Sequence, residues 1–262
     1  MIIVPTLNSY KVLPRLIKSL FNQSYKDWRL LFVDGNSAKE HEKWISEFCS
    51  KDSRIKVIKQ TSEYKGIYGA MNQGLNYANP NDWILFWGSD DWTYSEETFS
   101  NLMNVFNKYK KNNYKDLPHL VIGRGVYIDF NSGKEKRISK FVESKKYINS
   151  FNYLKNLFLG ETPPHQATLF GPKARLNIPI FNEKFSLTAD LDYFLRLSKI
   201  KNLKIEIIKD EIVCIGDGGV SARFLKLRIL EVIKTYLLFF RILFFIPFIA
   251  RYIKKIIRKK RY

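Results

Sequence analysis

Five aspartates and one histidine stand where side chains can do chemistry. Asp90-Asp91 follows an apolar run at residues 83–87 and precedes a helical pattern, so the pair closes a buried strand. Two carboxylates there can hold a divalent cation against diphosphate oxygens; the same placement also suits a helix N-cap. Asp34 closes an earlier apolar run at 28–33, where a carboxylate can accept hydrogen bonds from the base or ribose of a nucleotide. Asp190 and Asp192 lie in a stretch whose apolar residues at 191, 194, 195 and 197 mark an amphipathic helix. In its first turn Asp190 is placed either as a dipole-stabilised cap or as a general base taking a proton from a hydroxyl. His165 follows Thr162-Pro163-Pro164 in a loop.

These side chains need a scaffold. Residues 2–4 form a short apolar run ended by Pro5, and Val12, Leu13, Leu16, Ile17 and Leu20 then recur at helical spacing. The alternation continues with a strand at 28–33, a helix at about 39–49, a strand at 54–58, a helix at 67–78 and a strand at 83–87. A βαβαβαβ order predicts an α/β fold, a mainly parallel sheet covered by helices on both faces, with ligands at the carboxyl ends of the strands. The polar clusters fall at those ends. The first strand begins at Met1 and is a few residues short, so less complete pairing at its edge is expected, in a sheet that still forms. A helix over 97–110 follows, then strands over 120–130 and 133–142 about a turn at Asn131-Ser132-Gly133.

Charge narrows the partners. The chain carries a formal +19, and residues 224–262 hold 11 of its 44 Lys and Arg against the single Glu231. About half of the excess therefore sits in the tail, and the motif-bearing region is only moderately basic, which argues against a nucleic-acid-binding protein. A nucleotidyltransferase would carry a glycine-rich phosphate loop after the first strand, and residues 6–11 lack one. Cys49 and Cys214 stand alone, pointing to two free thiols rather than a disulfide or zinc site. The first residues run straight into a strand pattern with no basic leader, and the catalytic part is expected in the cytoplasm.

In order and spacing, Pro5-Thr6-Leu7-Asn8, Asn22-Gln23-Ser24-Tyr25, Val33-Asp34-Gly35-Asn36-Ser37, Gly66-Ile67-Tyr68-Gly69-Ala70-Met71-Asn72-Gln73-Gly74 and Gly88-Ser89-Asp90-Asp91 resemble family 2 glycosyltransferases. His165-Gln166, Ala189-Asp190-Leu191-Asp192 with Leu195-Arg196-Leu197, and Gly218-Gly219-Val220-Ser221 look like later blocks of the same family, notably its bacterial polysaccharide-assembly members. The resemblance implies a GT-A fold, a nucleotide-sugar donor with UDP the commonest base, a Mg²⁺ or Mn²⁺ ion, and inversion at the anomeric carbon. It also implies roles: Pro5, Thr6, Asn8 and Asp34 as nucleotide contacts with Lys65 and Asn72 beside them, Asp90 as the ribose-side acid, Asp91 as the metal ligand and Asp190 as the base. His165, Gln166 and Asp192 fall in its acceptor-side blocks, and a structural role is equally open to His165. Gly69 departs from the family, where many relatives carry Asp; the change bears on the donor-sugar contacts.

Residues 1–223 are thus read as the catalytic domain, with a donor-binding half to about 118 and an acceptor-side half from about 119 to 223. Residues 224–262 form a basic amphipathic tail whose longest charge-free stretch, 242–250, is far short of the roughly 20 residues of a membrane span. At 100° per residue Lys226, Lys234, Arg241, Arg251, Lys255, Arg258 and Lys259 fall within about 160° of arc. That predicts a helix lying in the plane of an anionic membrane, peripheral to its cytoplasmic face, near a lipid-linked saccharide acceptor. Packing on the domain is the alternative, and no nucleic-acid partner is expected.

Overall fold

The computed structural model describes residues 1–112, 114–129, 132–141, 147–216 and 224–259. The Gly218-Gly219-Val220-Ser221 block, part of the turn at 131, and the last three residues of the tail lie outside them. Strands β1 (Ile2–Thr6), β2 (Leu30–Asp34), β3 (Ile55–Lys59) and β4 (Leu85–Phe86) form a parallel sheet in the order β3-β2-β1-β4. The short first strand is paired within the sheet: β1 bonds to β2 on one side and to β4 on the other, starting with Ile2 N–H to Arg29 O at 2.7 Å. Every residue of β2 is buried, as a strand covered on both faces must be.

Alternation along these strands divides the core. Ile3, Leu31 and Val33 face helix α3 (Gly66–Leu75) and an aromatic cluster of Phe86, Phe170, Phe181 and Tyr193. Ile2, Val4, Leu30 and Phe32 pack with α1 (Leu13–Phe21) and α4 (Thr98–Asn107). Helix α1 buries Leu13, Leu16, Ile17 and Leu20 and has Pro14 in its first turn, where an N–H would go unpaired. Helix α2 (Lys39–Cys49) buries His41 and Ile45.

The second sheet is mixed. Strands β6 (Leu120–Ile128) and β10 (Ile205–Gly216) run parallel, flanked antiparallel by β5 (Trp92–Thr93), β7 (Glu135–Ser139), β8 (Tyr147–Ile148) and β9 (Thr168–Phe170). An antiparallel bridge from Ile84 to Phe170 joins the two sheets. Helices α5 (Ser150–Phe158), α6 (Pro172–Asn177) and α7 (Ala189–Leu197) complete this half.

The tail forms two helices, α8 (Leu225–Phe240) and α9 (Phe245–Lys259), broken at Arg241, whose φ is 48°. It does not lie free of the domain as a single in-plane helix. Glu231, Val232, Thr235 and Tyr236 are buried, while Leu230, Leu238 and Ile242 are 63%, 62% and 82% exposed. By length and apolar composition residues Leu225–Lys254 pass as a membrane span, although the charge-free stretch is short. The proposed cation arc also needs correction. Of its seven members Arg251 turns inward to Thr162; Lys254, not one of the seven, reaches Glu161 at 2.8 Å.

Candidate active site

The carboxyl ends of β1 and β2 hold the first cluster. Asp34 is buried, its Oδ1 accepting from Thr6 Oγ1 at 3.2 Å and Ser37 Oγ at 2.5 Å, and its Oδ2 from Ser37 N–H at 2.9 Å. Behind it, fully buried His41 brings Nε2 to 3.2 Å from Oδ1. Burial lowers the His41 pKa, with Asp34 pulling the other way, and the ring is held toward its neutral form. Asn8, in the left-handed region at φ 50°, clamps the two loops together: its N–H donates to Ser37 Oγ and its Oδ1 accepts from Ala38 N–H, both at 2.8 Å. Pro5 is half-buried, and its carbonyl accepts from Ser89 Oγ at 3.1 Å, drawing the Gly88–Asp91 loop over the end of β1.

In that loop the acidic pair converges. A Cβ placed on Gly88 would lie 2.7 Å from Asp90 Oδ1 and 3.3 Å from Asp91 Oδ2, so both carboxylates face the space that glycine leaves open. Asp91 is buried and accepts from Gly88 N–H at 2.6 Å. Burial first, then the neighbouring Asp90 charge, raises its pKa well above the ordinary carboxylate value. Two crowded carboxylates around one space fit a divalent cation, which would relieve that repulsion. Among the described residues no group of three His, Cys, Asp or Glu is placed to hold a metal, so the remaining ligands would be diphosphate oxygens and water.

The second cluster centres on Asp190. Its Oδ1 accepts from Leu191 N–H at 2.8 Å and Tyr68 OH at 3.2 Å, and its Oδ2 lies 3.6 Å from His165 Nδ1. The side chain is 24% exposed, within reach of a ligand. Burial pushes its pKa up, but His165, the Leu191 N–H and the Arg251 guanidinium outweigh this and leave it below the ordinary value, so Asp190 is an ion at neutral pH. Trp87, next to Gly88, donates its indole N–H to the carbonyl of Gln166, next to His165, at 2.9 Å, and the two clusters thereby adjoin.

Other expected residues are placed differently. Asn72 is 2% exposed, with Oδ1 accepting from Phe181 N–H at 2.7 Å and Nδ2 donating to Phe181 O and to Glu183 at 2.8 Å, so its amide joins α3 to the chain 109 residues on. Asp192 is 3% exposed and receives Arg196 Nε at 2.8 Å, one helical turn on. Lys65 is exposed at the N-cap of α3, its own N–H donating to Glu183 Oε2 at 3.0 Å. Sequence reasoning gave no role in the site to Tyr68, Ser37, His41, Glu183 or Glu231, and read Arg251 as a membrane-facing cation. Tyr68 stood inside a recognised block, and Glu231 was conspicuous as the one acid of a cationic tail.

A parallel sheet whose strand ends carry a buried acid and a convergent acid pair, next to a hydrogen-bonded carboxylate beside a histidine, is the arrangement of an α/β protein with its ligand crevice at the carboxyl ends of the strands. The chain matches glycosyl transferase family 2 over residues 1–167 and belongs to that family. It is similar to a UDP-Glc:alpha-D-GlcNAc-diphosphoundecaprenol beta-1,3-glucosyltransferase of Escherichia coli, 32% identical over 81% of this chain and 74% of that protein. It also resembles a PGL/p-HBAD biosynthesis glycosyltransferase of Mycobacterium bovis, 35% identical over 38% of each chain, so it spans well under half of that relative's length in the match. Among solved structures, Staphylococcus aureus TarS 1-349 in complex with UDP-GlcNAc superposes with a TM-score of 0.66 at 18% identity, over 90% of this chain and 66% of that one. The mannosyltransferase PcManGT of Pyrobaculum calidifontis, in complex with GDP-Man and Mn²⁺, gives 0.61 at 12% identity over 90% and 62%. These structures share the fold, a GT-A-type α/β architecture.

Proposed function

We propose that this chain is an inverting glycosyltransferase that moves the sugar of a nucleotide diphosphate sugar, with UDP as the first candidate, onto a hydroxyl of a lipid-linked saccharide at the cytoplasmic face of a membrane. The observation that carries the reading is Asp190: an ionised, accessible carboxylate oriented by Tyr68 and Leu191 N–H, beside His165 and adjoining the Asp90–Asp91 loop.

Thr6, Asn8, Asp34 and Pro5 shape the loops that take the base and ribose, with Asp90 on the ribose side and Lys65 at the exposed start of α3. Mg²⁺ or Mn²⁺ held by Asp91 would neutralise the diphosphate as it leaves. Asp190 accepts the acceptor's proton as the acceptor oxygen bonds to the anomeric carbon and the bond from that carbon to the diphosphate oxygen breaks. One displacement with one base inverts the centre. His165 adjoins Asp190 and orients the acceptor hydroxyl, with Gln166 beside it. The donor and undecaprenol-linked acceptor in the name of the Escherichia coli relative support the choice of UDP-sugar and lipid-linked acceptor.

The tail supports the membrane assignment. Its outer face exposes Leu230, Leu238, Ile242, Ile249 and Ile253, while Glu231 near one end and Lys254 near the other are both tied to the domain. A segment fastened to the same domain at both ends can lie on a bilayer but is poorly disposed to cross it. The test is calorimetric titration of UDP-, GDP-, dTDP- and CMP-sugars with and without Mn²⁺. Metal-dependent binding of a nucleotide diphosphate sugar is expected; binding of none of them would sink the proposal.

A further inference from the structure

We propose that the two tail helices assemble the acceptor half of the site, with Glu231 and Arg251 as positioning residues; the inference rests on the reading of Asp190 as the base. His165 and Asp190 come from two separate loops, and each loop is held by a different tail helix.

Helix α8 holds the loop that leads into α7. Glu231, 7% exposed, accepts from Ser186 N–H and Leu187 N–H, both at 2.8 Å, and from Thr188 Oγ1 at 3.2 Å. Thr188 is the N-cap of α7, yet its side chain makes no cap bond. A carboxylate from the tail therefore satisfies the backbone donors just ahead of the turn that presents Asp190, and its charge lies near the positive end of that helix.

Helix α9 holds the His165 loop. Gly160 has a φ of +79°, and a Cβ on it would lie 2.6 Å from Arg251 Cα, so the loop meets the helix backbone to backbone and only glycine allows it. Arg251 donates to Thr162 Oγ1, and Lys254 donates to Glu161 Oε1 at 2.8 Å. Three consecutive residues of the loop, 160–162, thus rest on α9 immediately before Pro163-Pro164-His165.

The 3.6 Å between His165 and Asp190 is consequently set by where α8 and α9 sit. The charged and titratable groups around Asp190 come from four elements: Tyr68 of α3, His165 of its loop, Arg251 of α9 and Tyr236 of α8, with Glu231 of α8 acting on Tyr68. Attachment to a membrane alone would require none of the polar ties. They make the tail part of the catalytic unit, whereas the nucleotide cluster is built from the loops of β1, β2 and β4.

The test uses full-length Arg251→Ala, Arg251→Lys and Glu231→Gln, with Asp190→Asn as reference. UDP binding in Mn²⁺ is read by calorimetry, and kcat by transfer from UDP-glucose to a GlcNAc-diphosphoryl-lipid across a pH series. Arg251→Ala and Glu231→Gln are expected to keep UDP affinity while kcat falls about 10–100-fold, as misplacement of a catalytic group does. Removing the Arg251 charge should also move the acid limb of kcat to higher pH, and Arg251→Lys should return it. Unchanged kcat in both variants, UDP affinity falling in parallel with kcat, or a limb that Arg251→Ala leaves in place would each overturn the proposal. Full transfer by Asp190→Asn would be recognisable separately, as failure of the base assignment on which it rests.

Discussion

Gly69→Asp introduces the residue many relatives carry, and the surroundings of Gly69 dictate its cost here. A Cβ at this position would lie 2.7 Å from the carbonyl carbon of Tyr64, 3.1 Å from its Cα and 3.0 Å from Glu183 Oε2. Backbone cannot swing aside as a flexible side chain can, so the 64–65 segment must shift and overpacking should cost about 1–3 kcal/mol. The new carboxylate also meets Glu183, which accepts from Lys65 N–H and Asn72 Nδ2 and so holds the start of α3. At about 2–4 °C per kcal/mol for a chain of this size, calorimetry should show Tm lowered by about 2–12 °C. Adding Glu183→Ala relieves the carboxylate contact and leaves the Tyr64 clash, so the double variant should be more stable than the sum of the two single effects by about 0.5 kcal/mol or more. A Gly69→Asp protein with the wild-type Tm, or strict additivity with Glu183→Ala, would refute the claim that Glu183 fills the space an Asp side chain would need.

Three further outcomes follow from the same geometry. Asp91→Asn, or removal of divalent metal with EDTA, should weaken UDP binding in calorimetry about 10-fold or more, while leaving the urea midpoint near that of the wild type. Because the Asp190 carboxyl titrates below its usual 3.8, its ion stabilises the folded state above that value, and the contribution disappears as pH falls through the lowered pKa. The urea midpoint of Asp190→Asn should accordingly fall short of wild type by more at pH 7 than at pH 3. Co-sedimentation with anionic vesicles should be lost in Leu238→Glu with Ile242→Glu, two exposed positions of the tail, and only partly reduced for wild type by high salt, because salt screens the cations and not the apolar burial.

The first sheet was legible because β1, β2 and β4 lie in apolar runs closed by polar residues, so Asp34 and Asp90-Asp91 had to lie at strand ends. Strand β10 escaped because Lys209-Asp210-Glu211 interrupts its pattern where the strand slips register against β6. The partners of Asn72 and Asp192 were unequally legible: one amide is bonded to groups 109 and 111 residues away, and one carboxylate to Arg196. The Arg196 pairing was visible as an i,i+4 spacing, whereas the Asn72 contact depends on tertiary packing that no local pattern encodes. The tail misled for a related reason. Arg251 was placed by helical angle alone, and the domain face that draws it inward is built around Thr162, 89 positions earlier.

The most direct test of glycosyl transfer with Asp190 as base is a single-turnover experiment on the full chain, comparing wild type with Asp190→Asn. UDP-glucose, Mn²⁺ and a GlcNAc-diphosphoryl-lipid acceptor are supplied at saturation, and the anomeric configuration of the product is read by NMR. Inverting transfer with Asp190 as base predicts a β-linked product from the α-configured donor, a transfer rate about 10²-fold or more lower in Asp190→Asn, and UDP affinity equal in the two proteins. An α-linked product, or near-normal transfer by Asp190→Asn, would contradict it.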